Sequence, residues 1–170
     1  LNSCLRPTEA LTLQEVLNAK AADHVDKIEE ISMHATKQFG LEKSLKAMQA
    51  DWKPLSVEIK AHRKSGTHII GGVDDITALL DEHIVKTQTM RGSPFVKGIL
   101  NECVDWEEQL KYAQSMLDEW LKVQRTWMYL EPIFGSEDIM RQLPTEARRF
   151  KDVDSLWRMT MKMTEEDPTF

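Results

Sequence analysis

With 170 residues, 41% of them hydrophobic and 29% charged, the chain is long enough to bury a core and too apolar for the disordered class. Its 22 Lys and Arg against 28 Asp and Glu leave a net charge of −6, which opposes binding to phosphate backbones, acidic membranes and other acidic polymers. No apolar run approaches the roughly 20 residues of a membrane span, "LNSCLRPTEA" has no signal-peptide form, and Cys4 and Cys103 lack a ligand-like spacing and are too few for a disulfide framework, which fits a reducing compartment.

In chain order, "TLQE" from Thr12 to Glu15 has the form of a capping box, so a helix is expected to start there. Val25, Ile28, Ile31 and Ala35 then recur at helical spacing up to Phe39, and Leu41, Leu45, Met48 and Trp52 form a second stripe of different phase. Gly40 stands between the stripes, and a kink or break is expected at it. Leu55, Val57, Ile59 and Ala61 alternate with polar residues at the two-residue period of a strand, and Thr67, Ile69 and Val73 supply a partner across the "RKSGT" reversal. Such a two-stranded hairpin is marginal alone in water, so Ile59 and Ile69 are expected to pack on helices.

Asp74 is read as the N-cap of the next helix, with Ile76, Leu79, Leu80 and Ile84 inward and Gly92 as its stop. Ser93 followed by Pro94 reads as the start of a long helix running to about Leu130. Along it, Ile99, Cys103, Trp106, Leu110, Ala113, Leu117, Trp120, Gln124 and Trp127 alternate in steps of four and three, a heptad seam. A second seam follows Met116, Trp120, Val123, Trp127 and Leu130, so the apolar face is wide enough for more than one neighbour. Trp120 lies on both seams and is expected in the core. Pro132 is read as an end or kink, Gly135 as a left-handed cap and Ser136 as the N-cap of a short helix; a last helix follows Pro144, with Phe150, Val153, Leu156, Trp157 and Met161 inward. The fold class is therefore mainly α, an elongated helical bundle with one small antiparallel β-hairpin.

Few residues suggest chemistry. "GTHIIGGVDD" lacks the Lys and Ser or Thr that a phosphate loop places after its second Gly, and has Val73 and Asp74 instead. His62 and His68 flank the hairpin turn and make at most half of a tetrahedral zinc set; exposed hairpin histidines are the alternative. His24, His34 and His83 read as surface or boundary positions, and Cys103 beside Trp106 as a buried, inert thiol. The paired acids fall on helices where they face water, and "RRFK" at Arg148 to Lys151 is flanked by Glu146, Asp152 and Asp154, as on a solvated face. No catalytic, cofactor-binding or metal residue is assigned, and the residues by themselves indicate a helical interaction or structural module.

"FGLEKSLKAMQADW", "SGTHIIGG", "GVDDITALLDEHIVKTQTMRGSPFV", "VDWEEQL" and "VQRTWMYLEPIFGSEDIMRQLPTEARRFKDVDSLWRMTM" together resemble, in order, the linker region of dynein heavy chains. The likeness runs from about Thr12 to Met161, and "YLEPIF" with "SEDIMRQLP" is closer to axonemal than to cytoplasmic chains. The resemblance implies that residues 1–170 are one segment of a larger linker domain; the residues themselves divide it into N-terminal helices at 12–54, the hairpin at 55–73, long antiparallel helices at 74–133 and C-terminal helices at 136–165. It implies a non-enzymatic lever fragment lying on an AAA+ ring of the same chain, with ATP and Mg in that ring and no cofactor here. Its further partners would be the upstream tail and other dynein subunits, with no nucleic acid, membrane or direct microtubule contact. The expected location is the cytoplasm and cytoskeleton, in the axoneme of a cilium or flagellum. A free-standing scaffold that oligomerises through the Ile99–Trp127 seam is the alternative reading of the same residues.

Overall fold

The computed structural model describes residues 12–63 and 65–170; Cys4 and the "LNSCLRPTEA" stretch lie outside them. The capping box forms as expected: Thr12 Oγ1 accepts from the Glu15 amide at 3.3 Å and the Glu15 carboxylate accepts from the Thr12 amide at 2.8 Å, opening α1 (Leu13–Asn18). A short 3₁₀ turn (Ala21–His24) leads into α2 (Val25–Asp51), which runs through Gly40 without the expected break. One glycine costs a helix only about 0.5–1 kcal/mol, less than a break that would open several backbone hydrogen bonds. The two stripes differ in phase because the two halves meet different surroundings. Leu45 and Met48 are buried, whereas Val25, Ile31 and Phe39 are exposed.

Strands β1 (Glu58–Ala61) and β2 (His68–Gly71) form the expected antiparallel hairpin, but Ile59 pairs with Ile70 and Lys60 with Ile69. Residues directly opposite share a face, so Ile70, the fully buried member, lies with Ile59, while Ile59 and Ile69 both pack, partly buried, against the same cluster as expected. Gly66 has φ +72° in the turn, where an L side chain would be strained. Just before β1, residues 55–57 meet residues 168–170 through one antiparallel bridge, Ser56 with Thr169: Val57 N–H donates to the Pro168 carbonyl at 2.9 Å and Phe170 N–H to that of Leu55 at 3.1 Å.

Helix α3 (Asp74–Arg91) starts one residue differently from expectation, with Val73 as the cap and Asp74 and Asp75 as acids at its positive end. Helix α4 (Leu100–Phe134) starts later than Pro94, because residues 93–99 fold into two turns, Ser93 O to Val96 N and Val96 O to Ile99 N. Val96 and Ile99 are thereby buried, which a helix begun at Pro94 does not require. Pro132 neither ends nor breaks α4: it lies in the last turn, where it removes one hydrogen bond, and Phe134 beyond it is held by stacking on Phe150 at 5.1 Å. Gly135 caps α4 with φ −73°, so it is not in the left-handed region, and Ser136 precedes α5 (Glu137–Gln142) without a side-chain cap bond. Helix α6 (Pro144–Glu166) has Pro144 as its first residue; it buries Trp157 and Met161 and half-buries Phe150, while Val153 and Leu156 are exposed.

Two buried clusters result. One joins Ile70, Ile76, Leu80, Ile84, Leu110, Leu117, Trp127, Trp157 and Met161; the other joins Leu45, Met48, Met90, Val96, Ile99 and Cys103, and Trp106 packs against both. The first α4 seam is therefore filled within the chain by α2, α3, the hairpin and α6, which removes it as the oligomerisation surface of the scaffold reading. The second seam is only partly filled, since Met116 and Val123 remain exposed. Trp127 is 1% exposed and Trp120 half-buried. In urea titration Trp127→Ala is expected to cost about 3–5 kcal/mol and Trp120→Ala about 1–3 kcal/mol; a loss below about 0.5 kcal/mol at Trp127 contradicts this packing.

Candidate functional site

The densest polar arrangement is where the hairpin meets α4 and α6. Gln124, on the apolar seam, turns its amide to the outer edge of β2: its Oε1 accepts from the Ile70 N–H at 2.9 Å, and its Nε2 donates to the Ile70 carbonyl at 2.9 Å. The side chain stands in for a neighbouring strand and satisfies both backbone groups of a buried residue. Three residues on, Trp127 Nε1 donates to Asp154 Oδ1 at 3.0 Å. Arg158 Nε donates to the other oxygen of Asp154 at 2.8 Å, and its Nη1 donates to the Ser65 carbonyl in the hairpin turn at 2.8 Å. A continuous path thus runs from α4 through α6 to the turn. Trp127 stacks on Trp157 at 5.3 Å and meets the edge of His62 at 5.3 Å.

A second junction ties α3 to α4. Glu107, 3% exposed, receives Lys111 Nζ at 2.6 Å, Gln88 Nε2 at 3.2 Å and the Arg91 guanidinium. The hydrogen bonds from Lys111 and Arg91 lower its pKa to about 2. A third ties α2 to α3: Trp52 Nε1 donates to His83 Nδ1 at 3.0 Å, which requires that nitrogen to be unprotonated, while Nε2 lies 3.7 Å from Asp51 Oδ2. Burial is the main cause that pushes the His83 pKa down. Cys103 is fully buried, and burial pushes its thiol up, as suits an inert packing residue.

The histidine expectations are corrected here. His62 is buried rather than exposed, and it does not face His68: Ala61 is the residue opposite His68, while His62 N–H donates to Thr67. His83, expected at a surface or boundary position, is 1% exposed. Among the described residues no group of three or more His, Cys, Asp and Glu is placed to hold a metal ion. His62 Nε2 and the indole N–H groups of Trp106, Trp120 and Trp157 are buried and have no hydrogen-bond partner among the described residues. A half-open cleft of about 310 Å³, lined by Val57, Ile70, Met116, Leu117, Trp120 and Phe170, is apolar and has Asp167 on its lining. The arrangement can hold elements in register. Sequence reasoning placed Gln124 and Cys103 on the seam but missed Glu107, Asp154 and Arg158, whose only signal is a polar residue close to an apolar stripe.

Residues 2–170 match the family model "Dynein heavy chain, N-terminal region 2". The chain is 48% identical over 164 residues to dynein axonemal heavy chain 12 of Rattus norvegicus, covering 96% of this chain and 5% of that protein. It is 46% identical over 163 residues to dynein axonemal heavy chain 3 of Homo sapiens (96% and 4%), and 38% identical over 162 residues to dynein axonemal heavy chain 1 of Mus musculus (95% and 4%). The chain thus spans about one-twentieth of the curated relatives it matches.

Two outcomes follow from these junctions. Gln124→Leu leaves the Ile70 N–H and carbonyl without their partner, so stability is expected to fall by about 2–3 kcal/mol and Ile70 amide exchange to quicken by at least about tenfold, whereas unchanged exchange removes the strand-edge role. Glu107 and His83 both titrate below their ordinary values, so each stabilises its basic form in the folded chain. The His83 contribution is complete above its ordinary 6.5 and is lost as pH falls below it; that of Glu107 is complete above 4.5 and is lost toward pH 2. Because Arg91 and Lys111 are half-exposed, Glu107→Gln is expected to cost on the order of 2 kcal/mol at pH 7 and to flatten the acid limb of a stability–pH curve.

Proposed function

We propose that this chain, which belongs to the dynein heavy chain family through its N-terminal region 2, is a non-catalytic mechanical element of a dynein microtubule motor, part of the linker lever. In this reading an AAA+ ring elsewhere in the same polypeptide binds ATP and Mg, and its hydrolysis cycle bends and straightens the lever to produce the power stroke. The names of the relatives support an axonemal setting, in a cilium or flagellum. In this reading the partners are the ring, the upstream tail and other dynein subunits.

The observation that carries the reading is the cross-linking of α3, α4, α6 and the hairpin by buried and part-buried polar side chains rather than by packing alone. A lever transmits force in proportion to its stiffness, and close-packed interiors resist deformation. Gln124 on Ile70, Arg158 on Ser65 and Glu107 between α3 and α4 each fix the relative position of two elements. The net charge of −6 suits an element that stays off the acidic microtubule surface.

The test uses the full-length heavy chain with a fluorescent donor at the exposed Glu119→Cys and an acceptor in the ring. Transfer efficiency is expected to differ between the ATP-bound and nucleotide-free states. Equal efficiency in all nucleotide states overturns the lever reading and leaves a static scaffold.

A further inference from the structure

Gly40, Gly92 and Pro132 are the three positions where a helix-weakening residue marks a corner in the sequence, and their surroundings differ. Gly92 lies between Met90 and Val96, both buried, and next to Arg91, which pairs with Glu107. Pro132 lies between buried Trp127 and the Phe134–Phe150 stack. Gly40 is in the middle of α2, with no heavy atom within 4 Å of the place where a side chain would begin, and its φ is not positive. Neither packing nor backbone conformation calls for glycine there, yet it weakens the helix.

Packing changes at the same residue. Downstream, Leu45 and Met48 are anchored in the second cluster. Upstream, Val25, Ile31, Met33 and Phe39 are exposed, and α2 buries no residue before Leu45. The upstream half touches the body at the 93–99 turns, where His34 meets Phe95 edge-on at 4.9 Å and the Gln38 amide lies over Gly98. A Cβ at Gly98 would overlap that amide, so the bare glycine is the seat that admits Gln38. Gln38 Nε2 also donates to Glu42 across Gly40 at 3.0 Å, a single side-chain bond spanning the weak point.

We infer that the Val25–Phe39 half of α2 is a movable arm that pivots at Gly40 and is held in its closed position by Gln38 on the Gly98 seat. The two ends of the device have opposite effects. Strengthening the helix at Gly40 keeps the arm aligned with the body, whereas filling the seat at Gly98 releases it. The use of this pivot as a bending point rests on the lever reading; its existence does not, and it is tested without nucleotide or ring.

The experiment measures the distance distribution between spin labels at Lys27→Cys on the arm and Lys122→Cys on α4, in the 170-residue chain with Cys4→Ser. The unmodified pivot is expected to give a closed peak and an open population. Gly40→Ala lowers the open fraction about two- to fivefold, the Gly-to-Ala difference in helix propensity expressed as a population ratio. Gly98→Ala raises it, because the flexible Gln38 side chain gives way and the buried clusters are untouched. Thr36→Ala, which improves helix propensity one turn upstream, leaves it unchanged. A single narrow peak in the parent chain overturns the pivot. So does a response to Thr36→Ala equal to that of Gly40→Ala, which means general fraying of an exposed helix.

Discussion

The seam of α4 is the constraint on which the other elements depend. Cys103, Leu110, Leu117, Gln124 and Trp127 lie on one side of a 35-residue helix and are all buried, Leu110, Leu117 and Trp127 in one cluster and Cys103 in the other. Burying such side chains contributes about 1.5–3 kcal/mol apiece for the large apolar ones, and that drive is non-directional. Direction comes from the polar members. Gln124 fits one backbone position of β2, and Asp154 and Arg158 fit one position of the hairpin turn. A slip of one residue in the hairpin turns Ile70 away from the core and leaves the Gln124 amide without its two partners.

Much of the framework was legible from the sequence because it rests on local periodicity. The four-and-three steps of α4, the capping box at Thr12 and the alternation in β1 each reflect a repeat that the backbone imposes on side-chain direction. The departures share one physical origin, tertiary contact that overrides local preference. Pro94 is a good first residue for a helix, yet burial of Val96 and Ile99 favours turns there. Pro132 is a poor helix residue, yet the Phe134–Phe150 stack holds the last turn together. Ile69 and Ile70 are equally apolar, and only the pairing register, with Gln124 bonded to the Ile70 backbone, separates the fully buried Ile70 from the partly buried Ile69.

The polar junctions were the least legible part. Glu107 looks like any solvated helical acid until α3 brings Arg91 and Gln88 beside it, and His83 looks like a surface residue until Trp52 arrives from α2. Such residues acquire their roles from partners 16 to 31 positions away, a distance at which a single sequence has no periodic signal. The same is true of the seat at Gly98, where the missing side chain matters only because α2 crosses it.

In the proposed motor these features divide the chain into a stiff body, made of α3, α4, α6 and the hairpin, and a weakly held arm formed by the first half of α2. Stiffness of the body is the central claim, and it is tested most directly by spin labels at Lys86→Cys in α3 and Arg149→Cys in α6 of the full-length heavy chain. The account predicts one narrow distance distribution that is the same with and without ATP. A distribution that broadens or shifts with nucleotide means that the body itself deforms during the cycle, and contradicts it.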